Sequence, residues 1–79
     1  MRLDLFLKDS RIIKRRTIAK EFCDRGLVKV NDKIAKPSFE LKGNEIITIK
    51  FGEKQYSIVT KIEIVGKKER GSYVQLESW

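Results

Sequence analysis

Along the first twenty-five residues the apolar positions follow a helical spacing. Leu3, Phe6 and Leu7, together with Ser10, fall on one face of a short amphipathic helix over Arg2–Ser10. Asp4 and Lys8 stand four apart on another face, in the order that supports a helix. Arg11-Ile12-Ile13-Lys14 reads as the end of that helix and a tight connection. The spacing predicts a second helix from about Arg15 to Arg25, with Ile18, Ala19, Phe22 and Cys23 as its apolar stripe. Gly26 then stands where a left-handed helix cap is wanted.

After Gly26 the period changes to two. Leu27-Val28-Lys29-Val30 reads as a short strand, and Asn31-Asp32 as a turn of residues that tolerate unusual backbone angles. Lys36-Pro37-Ser38 is irregular, because proline restricts itself and the residue before it. Lys42-Gly43-Asn44 marks another turn. Ile46–Phe51 follows as a strand with Ile47, Ile49 and Phe51 on one side. A long strand is predicted near Gln55–Val65, with Tyr56, Ile58, Ile62 and Ile64 facing inward. Lys67–Gly71 reads as a charged loop and Ser72–Leu76 as a last strand. Two helices followed by four or five strands define an α+β class. Residues 1–79 are too few for a second domain, and no repeat or low-complexity tract interrupts them.

Composition then narrows the function. No run of about 18 apolar residues is present, so no membrane-spanning segment is expected, and the charged amphipathic start does not read as a secretory signal. The single cysteine, Cys23, cannot form an internal disulfide, which suits a reducing cytoplasm. There is no histidine, so the commonest general base and metal ligand is missing. No zinc-ligand spacing, phosphate loop or dinucleotide fingerprint occurs. The carboxylates are scattered among basic residues, and Cys23 lies on the apolar stripe, where a small core residue fits better than a nucleophile. The expectation is a protein that is not an enzyme, with no catalytic residues, metal or cofactor.

Charge supplies the positive clue. The formal net charge is +7, and residues 1–36 hold eleven basic and five acidic side chains against seven and six in residues 37–79. The excess sits in one half, as a surface for a polyanion would require. Between Arg11 and Lys20 stand Arg11, Lys14, Arg15, Arg16 and Lys20, with no acidic residue. Arg16 and Lys20 are one turn apart on the second helix. Arg15 and Arg16 crowd its N-terminus, where positive charge costs stability but a bound phosphate is favoured. Arginine's planar fork suits phosphate, which adds Arg2 to the set. Two helices with a short connection would also fit a DNA-binding helix-turn-helix. Arg16, Thr17 and Lys20 nonetheless suit phosphates better than base edges, and the sequence shows no aromatic platform for stacking single-stranded bases. Tyr56 and Phe51 read as strand core and Trp79 as incidental. Structured RNA read through shape and backbone is the more natural partner.

Taken together, Arg2-Leu3-Asp4, Phe6-Leu7, Ser10-Arg11, Lys14-Arg15-Arg16-Thr17, Ala19, Gly26, Val28, Val30-Asn31 and Lys36-Pro37-Ser38 resemble the S-four RNA-binding domain. The likeness covers roughly residues 1–51 and leaves 52–79 as a C-terminal strand extension, read mainly as scaffold. Asn31-Asp32 replaces a frequent Asn-Gly, Gly43-Asn44 replaces Gly-Asp, and Arg15 stands where relatives carry a capping Ser or Thr. The opening MRLDLFLKDSRIIKRRT is similar to the bacterial heat-shock protein fifteen group. Ending at Trp79 without a long basic tail, the chain is most like that group's short ribosome-quality-control members. The resemblance implies the αL RNA-binding motif, two N-terminal helices packed on a small, bent, mostly antiparallel sheet of four to five strands. It also implies a cytoplasmic protein on the large ribosomal subunit, touching large-subunit rRNA and tRNA. There it would support C-terminal tailing of stalled chains by a partner that recruits alanine-tRNA. Carried over by position, the RNA-facing residues are Arg2, Arg11, Lys14, Arg15, Arg16 and Lys20, with Lys8 and Lys36 as secondary candidates. A general rRNA-binding assembly or translation factor, a small DNA-binding regulator and an accessory domain of an RNA-modifying enzyme stay open as alternatives.

Overall fold

Seven elements follow one another in the computed structural model, which describes residues 1–78; Trp79 lies outside the described residues. They are α1 (Leu3–Asp9), α2 (Arg16–Asp24), β1 (Val28–Val30), β2 (Lys33–Ile34), β3 (Ile46–Phe51), β4 (Lys54–Val65) and β5 (Lys68–Ser78). The strands form one antiparallel sheet in the order β2-β1-β3-β4-β5. Both helices pack on it, so the expected α+β architecture with five strands is what the chain adopts. Among the described residues no helix is long and apolar enough to cross a membrane.

The core follows from the two periodicities. Leu3, Phe6 and Leu7 of α1 are fully buried, as are Ala19 and Cys23 of α2. They meet the inward side chains Val28, Val30, Ile47, Ile49 and Ile58 of the strands. Gly26 closes α2 at φ +72, with its N–H donating to the Cys23 carbonyl and the Leu27 N–H to that of Phe22, the pattern of a Schellman cap. Asn31 and Asp32 both take positive φ (50° and 67°), as a two-residue hairpin turn of primed type requires.

Several local readings change. Ile18 of the predicted α2 stripe is 38% exposed, and Lys33–Ile34, where the pattern predicts no strand, is β2. Asp4 does not pair with Lys8 on the surface; it is buried and turned toward Arg2 and Arg16. Ile64 is not inward but 77% exposed, because the tip of the β4–β5 hairpin runs beyond the helices and nothing covers it. Thr60, absent from the predicted inward set, is completely buried. Finally, Lys67–Gly71 is mostly strand: Val65 pairs with Lys68 across a two-residue turn, with Gly66 at φ +66. Exposed from Lys67 to Arg70, that stretch carries no hydrophobic alternation by which a strand could be recognised.

Two contacts fix how the outer pieces attach. The segment 36–41 runs beside the start of α1, where the Leu3 and Asp4 N–H groups donate to the carbonyls of Phe39 (2.8 Å) and Pro37 (3.1 Å). These bonds satisfy two donors that a helix start leaves open, so α1 needs no capping side chain. On the other side, β5 crosses α1 at Gly71. A Cβ there would stand 2.5 Å from Cδ2 of the buried Phe6 ring and 3.2 Å from the Met1 sulfur. Glu45 organises the turn before β3 by accepting from the Lys42 and Gly43 N–H groups (2.7 Å each) and the Thr60 hydroxyl (2.8 Å).

Replacing Gly71 with alanine is expected to destabilise the fold by about 1–3 kcal/mol through overpacking against Phe6, read as a lowered urea midpoint; an unchanged midpoint would contradict the close crossing. Burial alone would raise the Glu45 pKa, but the bonds from Lys42, Thr60 and Gly43 outweigh it and hold it below its ordinary value near 4.5. The stabilisation is therefore full above that value and is lost as pH falls through the lower folded pKa. Glu45→Gln should melt below wild type at pH 7 and converge with it on acidification toward pH 3; a gap independent of pH would show that the carboxylate charge is not involved.

Candidate nucleic-acid interface

The sequence places Asp4 in the first turn of α1, Arg2 immediately before that helix and Arg16 at the first position of α2. Helix packing brings the three together. Arg2 Nε lies 3.4 Å from one Asp4 carboxylate oxygen and Arg16 Nε 3.4 Å from the other, with an Nη2 of each arginine 3.5 Å from the opposite oxygen. The Leu5 N–H also donates to this carboxylate at 2.7 Å. The Asp4 side chain is 5% exposed, whereas those of Arg2 and Arg16 are 50% and 47% exposed. One buried anion thus orients two guanidinium groups whose outer edges face solvent, leaving a fixed pair of forks with a net positive charge.

Beside this pair the start of α2 is open. Arg15 is extended (φ −120°, ψ 136°) and supplies no side-chain cap, as its replacement of a capping Ser or Thr implied. The first backbone bond into the helix is from the Ala19 N–H to the Arg15 carbonyl. Among the described residues the Arg16, Thr17 and Ile18 N–H groups have no protein acceptor, and the arrangement favours an anion there.

A second group lies where the α1–α2 connection faces the hairpin. Lys8, Arg11 and Lys14 line an open cleft of about 750 Å³ with Arg70 of β5, and Asp9 and Glu63 on its walls. The Asp9 carboxylate is engaged by the Gly71 N–H at 2.9 Å, which ties the hairpin to the end of α1. Arg11 holds the left-handed position after the helix, φ +66, where glycine is the usual occupant. Such a conformation costs an ordinary residue on the order of 1 kcal/mol, so the side chain placed there earns notice.

The structure therefore gathers the candidates into two groups, Arg2 with Arg16, and Lys8 with Arg11 and Lys14. Arg15, Lys20 and Lys36 are exposed, and no ion pair among the described residues holds them. Sequence reasoning missed two participants. Asp4 was assigned to a helix-surface pair, though an acidic residue flanked by Arg2 and the basic run could have signalled a shared counter-ion. Arg70 comes 59 residues after Arg11 in a stretch read as loop, and no local signal connects the two. Cys23 is buried, and burial, with the nearby Asp4 and Asp24 carboxylates, pushes its thiol pKa up to about 11.

Known proteins resemble this chain in sequence and, for one solved structure, in fold. The sequence pattern of the S4 domain family matches residues 1–47. A protein of Streptococcus pneumoniae named RQC P-site tRNA stabilizing factor is 59% identical over 54 residues, spanning 68% of this chain and 61% of that protein. The protein of that name from Bacillus subtilis is 44% identical over 73 residues, spanning 91% of this chain and 85% of its own length. Among solved structures, the trimeric heat shock protein 15 of Vibrio cholerae superposes with a TM-score of 0.77 at 29% identity, over 96% of this chain and 81% of that one.

With its raised pKa, Cys23 should resist a disulfide reagent such as DTNB at pH 7.5 in the native protein and react fully once unfolded in guanidinium. Rapid native labelling would mean that the inner face of α2, which carries Cys23, is not packed on the core.

Proposed function

The chain belongs to the S4 domain family, alongside the RQC P-site tRNA stabilizing factors, and on that premise we propose that it is a non-catalytic RNA-binding protein of ribosome quality control. The observation that carries this reading is the Arg2–Asp4–Arg16 cluster: two half-exposed guanidinium forks fixed by one buried carboxylate. A charged pair held in place loses little side-chain freedom when phosphate arrives, so more of the attraction survives as affinity. The open α2 start, with Arg15 beside it, adds backbone donors to the same face.

In this reading Arg2 and Arg16 grip one stretch of RNA backbone, with Arg15 and Lys20 extending the contact along α2. Lys8, Arg11, Lys14 and Arg70 take a second stretch in the cleft, and Lys36 provides an outlying contact. Two grips set apart suit a junction of folded RNAs; the relatives' name, RQC P-site tRNA stabilizing factor, supports a tRNA as one of them, and the proposal takes that tRNA as a peptidyl-tRNA and large-subunit rRNA as the other, in the cytoplasm. The protein would hold that complex ready for C-terminal tailing of the stalled chain by a factor that recruits alanine-tRNA. The absence of histidine and the protonated, buried Cys23 support a role in holding rather than reacting. Residues 1–79 act as one domain, with the hairpin as part of the binding surface.

Co-sedimentation with ribosomal fractions tests this, with Arg2→Ala/Arg16→Ala alongside. Enrichment on large subunits carrying peptidyl-tRNA, lost in the folded double variant, is expected. Equal binding to all ribosomal particles would leave a general rRNA binder, and no association at physiological salt would sink both. On isolated RNA, Arg16→Ala should lower the slope of log affinity against log salt by roughly 0.7–0.9 per lost phosphate contact.

A further inference from the structure

Arg11 borders a second depression beside the basic cleft. On the helix-facing side of the sheet, Phe51 of β3, Tyr56 and Ile58 of β4, and Tyr73 and Gln75 of β5 form a pocket of about 220 Å³, with Arg11 from the α1–α2 connection at its rim. Phe51 and Tyr56 meet edge to face with ring centroids 5.6 Å apart, and Phe22 of α2 supports Phe51 from behind at 5.2 Å. The pairing of Ile58 with Gln75 and of Thr60 with Tyr73 brings the β5 residues to the same side. Tyr73 is 41% exposed, so the aromatic surface is open at one end.

We infer that this pocket receives a single unstacked nucleobase from the RNA whose phosphates occupy the neighbouring basic cleft; the inference rests on the RNA-binding reading above. The volume is below the about 300–1,000 Å³ that encloses drug-sized ligands, and suits one planar ring system. Its walls are of the kind that bind bases in single-stranded RNA, aromatic faces with an arginine plane nearby. Gln75 offers both a donor and an acceptor to a base edge. Arg11 lines both the pocket and the cleft of Lys8, Lys14 and Arg70, so a nucleotide can reach the rings while its phosphate stays among cations. That continuity with positive charge favours a nucleotide over an apolar side chain of a protein. The left-handed backbone at Arg11 accounts for how one side chain comes to stand between the two sites.

The test uses the full chain and two RNA hairpins, one fully paired and one carrying a single bulged 2-aminopurine. Wild type should bind the bulged hairpin about tenfold more tightly, the scale of one base–aromatic stack, and quench the 2-aminopurine fluorescence on binding. Tyr73→Ala should abolish the preference and the quenching while leaving affinity for the paired hairpin and its salt dependence unchanged. Tyr73→Phe should retain both. Lys14→Ala should weaken binding to both hairpins. Equal binding of the two hairpins by wild type, or brightening of the probe, would overturn base capture, leave RNA binding intact and return the pocket to a protein contact. Failure to bind either hairpin at low salt would overturn the RNA-binding reading and this inference with it. The fluorescence measured on wild type decides the matter even if Tyr73→Ala does not fold.

Discussion

The Asp4 carboxylate is the point on which the basic face depends. It sits at the start of α1, almost out of water, and both of its oxygens are shared between guanidinium groups from two different elements. An unpaired carboxylate in that position would cost several kcal/mol; Arg2 reaches it from the same end of α1, and the packing of α2 on α1 brings Arg16. The backbone beside Asp4 is fixed as well, since its N–H donates to Pro37 and links the irregular segment 36–41 to the helix. A structural requirement, to neutralise a buried charge, thereby produces the feature on which the proposed function rests: two half-exposed guanidinium forks held by one carboxylate.

The β4–β5 hairpin depends in turn on α1. It crosses the helix at Gly71, where the Phe6 ring leaves no room for a side chain and the Asp9 carboxylate receives the Gly71 N–H. This crossing sets which hairpin residues fall near the α1–α2 connection. Arg70 enters the cleft on one side of it, and Tyr73 and Gln75 enter the aromatic pocket on the other. A segment with no recognisable motif of its own joins the proposed interface because of a single small residue. Charge and aromatic surface then meet at Arg11, which neither helix contains.

Much of this protein was determined by local sequence. The change of apolar period at Gly26 and the turn residues Asn31-Asp32 and Gly43-Asn44 each act over a few residues, so they read correctly in isolation; of the predicted α2 stripe, Ala19 and Cys23 are buried and Phe22 partly so, while Ile18 is exposed. The concentration of positive charge before residue 37 is likewise a property of the chain, and it pointed to a polyanion without any structure. Tertiary structure alone decided the rest, because each remaining feature joins residues far apart in sequence. Asp4 became a buried counter-ion only when α2 carried Arg16 to it. Ile64 stayed in water because the helices end short of the hairpin tip, a matter of relative lengths rather than of hydrophobic pattern. Arg70 joined Arg11, and Tyr73 joined Phe51 and Tyr56, through strand register and the crossing at Gly71. Periodicity specifies which face of an element turns inward; which faces of distant elements meet is fixed only when the core closes around them.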